Sequence, residues 1–250
     1  MPVRPGAEPF AADRGDVGIV FVHGFTGSPA SMRPWAEQVA DAGFSVRVPR
    51  LPGHGTTWQE MQLTRWPDWY AEAERAYVDL QARCSQVFVF GLSMGGTLSL
   101  RLAEEHPEVA GLVLVNPSLH SENKLLLLLP VMHRFVPSFP GVANDIKKPD
   151  QDEVAYDRVP LKAMQSLSDL WKVTTADLPS VTAPLLLFRS ADDHVVEPSN
   201  ADYLLRHIGS TDQTAVVLPD SYHVATLDND APTIVAGSLD FVSRLAHAAS

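Results

Sequence analysis

One stretch constrains this chain more than any other: Val87-Phe88-Val89-Phe90-Gly91-Leu92-Ser93-Met94-Gly95-Gly96-Thr97. Its apolar start, rich in strand formers, reads as a β-strand buried on both faces, and the residues after Ser93 read as a helix. A chain passes from strand to helix this abruptly only where side chains are missing from the crossing, and Gly91 and Gly95 supply that space. The turn holds Ser93 in a strained conformation with its hydroxyl beyond the strand end and unpaired helical N–H groups behind it.

The rest of the chain supplies the sheet that such a turn requires. Val17 to His23 is a second continuous apolar run, followed by a helix carrying Met32, Trp35, Val39 and Ala40 and capped by Ser28 or Ser31. A possible edge strand lies near Pro9-Phe10, further strands at Phe44 to Val48 and Val109 to Asn116, and a long amphipathic helix from about Trp66 to Ala82. This alternation predicts an α/β fold with a mostly parallel central sheet, flanked by helices and joined by right-handed crossovers. The rhythm lapses at about 117–160 and resumes with a helix at Leu161 to Val173, strands at Pro184 to Arg189 and Thr214 to Leu218, and helices at Ser199 to Ile208 and Ala231 to Ala248. The expected organisation is therefore one domain over 1–250 with a lid-like insertion at about 117–160. Within it, the run Leu125 to Leu129 reads either as a helix burying its leucines or as an exposed apolar lid surface.

Composition narrows the partners. With 19 basic and 30 acidic residues the formal charge is -11, the wrong sign for a nucleic-acid binder. The single cysteine, Cys84, forms no internal disulfide and reads as an apolar filler. No run approaches the ~20 apolar residues of a membrane span, and Met1 to Gly6 lacks the apolar segment of a signal peptide. The expectation is a soluble, cytoplasmic protein. There is no H-E-x-x-H or clustered Cys/His pattern for a metal, and neither G-x-G-x-x-G nor a P-loop, so no metal and no cofactor are expected.

A serine hydroxyl is a weak nucleophile, so the turn calls for a histidine base and an orienting carboxylate, in the chain order Ser, Asp or Glu, His. Of nine histidines, His223 alone follows a late strand and precedes the last helix. His54 lies in a Gly-His-Gly loop and reads as structural; His106, His207 and His247 belong to helices and His120 and His133 to the insertion. For the acid, the loop after Arg189 offers Asp192 and Asp193, which spacing barely separates; Asp193 is the choice. An oxyanion needs two backbone donors, assigned to the amides of Met94 and Phe25.

His23-Gly24-Phe25-Thr26-Gly27, Gly53-His54-Gly55, Gly91-Leu92-Ser93-Met94-Gly95-Gly96, Asp193-His194-Val195-Val196 and Ser221-Tyr222-His223-Val224-Ala225-Thr226-Leu227-Asp228 together resemble the bacterial monoacylglycerol lipases and their carboxylesterase relatives in the α/β-hydrolase superfamily. The resemblance covers nearly the whole chain. It implies Asp193 rather than Asp192 as the acid, a small cap made by the insertion, and a cap glutamate, Glu153, that recognises the glycerol head. It also implies a serine ester hydrolase that cleaves monoacylglycerols to glycerol and free fatty acid through an acyl-enzyme; the exposed reading of Leu125 to Leu129 would add peripheral contact with micelles or membranes through the cap. A general carboxylesterase for short-to-medium acyl esters is the alternative. A non-catalytic ligand receptor on the same fold has no need of Ser93, Asp193 and His223 together.

Overall fold

The computed structural model describes the backbone of residues 1–248 and the side chains of 1–246, so the side chain of His247 lies outside the described residues. The apolar runs form a seven-stranded sheet in the order β1-β3-β2-β4-β5-β8-β9. Its central strands are β2 (Val17–Val22), β4 (Gln86–Leu92), β5 (Leu112–Val115) and β8 (Leu185–Ser190), flanked by β3 (Ser45–Val48) and β9 (Gln213–Leu218). All of these pair in parallel; β1 (Phe10–Ala12) adds to β3 in the opposite direction, at an edge where crossovers impose no direction. Every residue of β5 is buried, because helices cover both faces of the sheet.

On one face, α3 (Trp66–Gln81), α4 (Met94–Glu105) and α6 (Leu161–Asp177) bring Trp69, Leu98 and Leu170 into the core. On the other, α1 (Arg33–Asp41) and α8 (Ala231–Ala248) contribute Trp35, Ile234 and Val242. Trp35 stacks on Phe90 at 5.0 Å and meets the edge of Phe21 at 5.2 Å, locking α1 to β2 and β4. Ser28 caps the short 3-10 turn before α1, its oxygen accepting from the Ala30 amide. α7 (Ser199–His207) connects β8 to β9 along the chain. α2 (Trp58–Met61), not expected from the sequence, exists because the Thr57 hydroxyl accepts from the Glu60 amide and Met61 is buried. No helix among the described residues is long and apolar enough to cross a membrane.

Between β5 and α6 the chain is more ordered than its composition implies. A 3-10 turn at Lys124–Leu128 leads into α5 (Leu129–Met132), and β6 (Ser138–Pro140) pairs antiparallel with β7 (Arg158–Pro160). The leucine run is neither wholly core nor wholly surface. Consecutive leucines in a turn with three residues per turn are spread over every face. Leu125 and Leu127 are accordingly 65% and 81% exposed, while Leu129 is buried and Leu126 packs on the core.

Candidate active site

The carboxyl ends of the parallel strands converge on one cavity of about 340 Å³ whose walls include Phe25, Ser93, Glu153, His194 and His223. Ser93 sits at φ 57°, ψ -121°, a conformation rare for any residue but glycine. The surroundings over-determine it: its N–H donates to Val115 O at 3.0 Å and its carbonyl accepts from the Gly96 and Ser118 amides. A Cβ on Gly95 would stand 1.9 Å from Val22 O, and one on Gly91 2.4 Å from Gly95 O, so both positions exclude every other residue. The Met94 side chain is buried in the core, and its amide is the first of α4. Among the described residues neither this amide nor that of Phe25 donates to a protein acceptor.

His223, on the loop after β9, is buried, and its Nδ1 stands 2.8 Å from Asp193 Oδ2. The other Asp193 oxygen accepts from the amides of Val195 and Val196, each at 2.8 Å. Asp192 points outward instead, 3.4 Å from His194 Nε2. Burial alone would lower the His223 pKa, but the charge and hydrogen bond of Asp193, with the charges of Glu153 and Asp145 behind them, outweigh it and raise it. Burial works the other way on Asp193, yet His223 and the two amides hold its carboxyl below the usual value. No hydrogen bond joins Ser93 to His223 among the described residues; bonds of this kind tighten as the transition state forms.

Glu153 is strapped into the cavity wall. Its Oε1 accepts from the Asn144 amide at 3.0 Å, its own N–H donates to Asn144 Oδ1, and its carbonyl accepts from Ser28 Oγ. Burial pushes its carboxyl up. Val154, next in the chain, is held at φ 55°, which a β-branched residue adopts only under constraint. His54 has a structural position, buried with its ring 5.0 Å from His23 and 5.5 Å from Trp69.

Several residues at the site carry no motif. Met164, Leu167 and Trp171 of α6 line the cavity, and Trp171 is shared, with His120, Ser121 and Asn123, by an adjoining cavity of about 700 Å³ beneath Leu126 and Leu127. The amphipathic spacing of α6 reads as ordinary core, so sequence alone does not separate its wall residues from its packing residues. Asn116, at the end of β5 with φ 45°, and Asp145, in the insertion, both bond the His223 loop. The one local signal at Asn116 is an asparagine between a buried strand and a proline.

Known proteins resemble this chain over nearly its whole length. The family described as "Serine aminopeptidase, S33" matches residues 16–230. The thermostable monoacylglycerol lipase of Bacillus sp. (strain H-257) is 46% identical over 97% of each chain. The carboxylesterase of Bacillus subtilis (strain 168) is 24% identical over 95% of this chain and 97% of its own length. Among solved structures, a metagenome-derived lipolytic enzyme of the LipS and LipT study superposes with a TM-score of 0.94 at 41% identity, covering 97% of this chain and all of its own. The monoacylglycerol lipase of Paleococcus ferrophilus, at 21% identity and a TM-score of 0.79, covers 95% of this chain and 99% of its own and shares the fold. The chain therefore belongs to the Hydrolase_4 family and is a serine hydrolase of the α/β-hydrolase fold.

Proposed function

We propose that this hydrolase cleaves monoacylglycerols, as one domain over 1–250 whose 117–160 insertion serves as the cap. The observation that carries the reading is Glu153: a carboxylate held by the insertion in the wall of the same cavity as Ser93 and His223. The 46% identity to a monoacylglycerol lipase supports it. A monoacylglycerol presents two free hydroxyls beside its ester, and a carboxylate accepts hydrogen bonds from both, directly or through water. Di- and triacylglycerols put bulky chains where those hydroxyls stand.

In this mechanism Ser93 Oγ attacks the ester carbonyl while His223 takes its proton, and the amides of Phe25 and Met94 receive the oxyanion. Collapse of the tetrahedral intermediate breaks the bond to glycerol, whose oxygen takes the proton from His223. Water, deprotonated by His223, then attacks the acyl-enzyme; the bond to Ser93 Oγ breaks, Oγ takes the proton back from His223, and the fatty acid is released. Asp193 holds the imidazole in the required tautomer and stabilises its cation. The adjoining cavity accommodates the acyl chain, and the exposed Leu125, Leu127 and Phe135 give the cap an apolar surface for peripheral contact with micelles or membranes. Cys84 asks for no oxidising compartment, which supports a cytoplasmic location.

The test is Glu153→Gln. It should lower kcat/KM for a monoacylglycerol about tenfold, the size of a lost charge-assisted hydrogen bond, and spare a p-nitrophenyl ester of equal acyl length. Equal losses on both substrates would leave Glu153 as a cap support and favour a general carboxylesterase, the reading supported by the Bacillus subtilis relative.

A further inference from the structure

The loop carrying His223 is gripped from two sides. From the sheet come two donors to its carbonyls: Asn116 Nδ2 donates to His223 O at 2.8 Å, and Ser190 Oγ donates to Tyr222 O at 2.7 Å. These two residues are bonded to each other, Asn116 Nδ2 donating to Ser190 Oγ and Asn116 Oδ1 accepting from the Ser190 amide. The N–H groups of the same loop go to carboxylates. Asp228 Oδ2 accepts from the Tyr222 amide at 2.9 Å, and Asp145 Oδ2 from the His223 amide at 3.1 Å.

Asp145 belongs to the insertion, between β6 and β7. Its Oδ1 stands 2.8 Å from His194 Nδ1, its Oδ2 also accepts from the His194 amide, and its carbonyl accepts from the Val224 amide. Its side chain is only 9% exposed. His194 directly follows Asp193, so one carboxylate reaches both the loop of the acid and the loop of the base. Two residues on, the amides of Lys147 and Lys148 donate to the buried Asp228, fastening the same piece of the insertion a second time. A carboxylate this enclosed persists only where donors satisfy it, and here three do, one of them an imidazole whose proton its charge favours.

We propose that Asp145 is a positioning residue for His223: the insertion, together with the sheet, sets where the imidazole stands, through one carboxylate that bridges His194 and the His223 peptide. This rests on the reading of Ser93, Asp193 and His223 as the catalytic set. The sheet fixes the loop by its carbonyls, and the insertion accepts from the His223 and Val224 amides, so a displaced cap leaves Asp228 alone to hold the N–H side of the loop. The coupling is also electrostatic. The carboxylates acting on His223 are Asp193 from the loop after β8, and Glu153 and Asp145 from the insertion. Those acting on His194 are Asp145, Asp192 and Asp193, with the Tyr222 ring 4.6 Å away and Lys147 Nζ over that ring. Each carboxylate near His223 favours its imidazolium, so removing the Asp145 charge moves the base titration to lower pH.

The experiment compares the native protein with Asp145→Asn and Asp145→Ala on a soluble short-chain p-nitrophenyl ester, from about pH 5 to about pH 9, with Ser93 titrated by an organophosphate. Asp145→Ala should lower kcat about tenfold or more and leave KM within about twofold. Asp145→Asn keeps an acceptor for the His223 amide; it should recover most of kcat at alkaline pH while its acid limb in kcat/KM moves down by about half a pH unit. Native kcat and an unmoved acid limb in both variants would overturn the proposal. So would losses that track the melting temperature in both variants with the limb unmoved, since Asp145 would then only support the fold. Failure of the organophosphate to label Ser93 in the native protein, with turnover persisting in Ser93→Ala, would instead overturn the underlying catalytic reading.

Discussion

The strand-to-helix turn around Ser93, the elbow, and the insertion build walls of one cavity by different physics. At the elbow, position comes from exclusion: the first turn of α4 lies so close to the end of β2 that Gly95 touches the Val22 carbonyl, and Ser93 is forced into a conformation it would not otherwise adopt. In the insertion, position comes from polar straps between distant segments. The Glu153 carbonyl accepts from Ser28, the Tyr156 hydroxyl donates to Gly53 O at 2.7 Å, and Asp145 reaches the loops of His194 and His223. Much of the insertion's apolar surface stays in contact with solvent, Phe135 among it. A wall built by exclusion tolerates almost no change in volume, whereas a wall built by straps tolerates changes in shape and responds to changes in charge. Substitutions at the elbow should therefore abolish folding or chemistry, and those in the insertion should alter substrate choice and pH response.

The largest effect expected is that of Ser93→Ala, which removes the proposed nucleophile without changing the packing. Esterase activity should fall about ten-thousandfold or more while the thermal melt stays near native, and substantial turnover by the folded variant would refute the assignment. Next comes the acid: Asp193→Asn should lower kcat about a thousandfold, because the wrong imidazole tautomer becomes accessible, and Asp192→Asn, on the exposed side of the same loop, should stay within about twofold. In the proposed mechanism His223 acts as the neutral base, and with its pKa raised, native kcat/KM should decline as pH falls through a midpoint above the ordinary imidazole value of 6.5. A midpoint below that value would mean that burial outweighs the carboxylates.

Stability draws the contrast directly. Gly95→Ala drives a methyl into the Val22 carbonyl and should cost several kcal/mol or prevent folding, whereas Leu127→Ser, at an exposed position, should stay within about 0.5 kcal/mol by chemical denaturation. The buried His23 adds a pH dependence to the elbow wall. Its Nε2 accepts from the Leu51 amide, and burial lowers its pKa from 6.5 to about 4. Between those values the unfolded chain binds a proton that the folded one does not. The His23 contribution is thus complete above 6.5 and is lost progressively as pH falls toward about 4, roughly 3 kcal/mol in all. Unfolding free energies that stay flat over that window would mean that the elbow wall accommodates the charged ring.

The smallest effect belongs to the exposed apolar surface of the insertion. Serine at both Leu125 and Leu127 should reduce turnover of dispersed long-chain substrate a few-fold, spare a soluble short ester and leave the melting temperature nearly unchanged. A large drop in melting temperature would show that these leucines serve the core after all.

What the sequence by itself determined is the sheet and its chemistry-bearing turn. Strands buried on both faces must be apolar throughout, so β2, β4 and β5 stand out as runs, and the glycines around Ser93 lie within five residues of one another, although the Val22 carbonyl that Gly95 must clear belongs to β2. His223 follows from chain order, since only one histidine lies between the last strand and the last helix. Tertiary structure alone decided what depends on pairing across the chain. Asp193 and Asp192 are neighbours of the same type, and what separates them in space is that the amides of Val195 and Val196 turn one carboxylate toward His223. The leucine run was divided between core and solvent by a 3-10 turn that no periodicity announces. Asp145 meets its partners 49 and 78 residues away. Steric demands of a tight turn leave their mark on contiguous residues, whereas a hydrogen bond between distant loops asks only for a donor and an acceptor, and nearly every polar side chain qualifies until the fold brings two of them together.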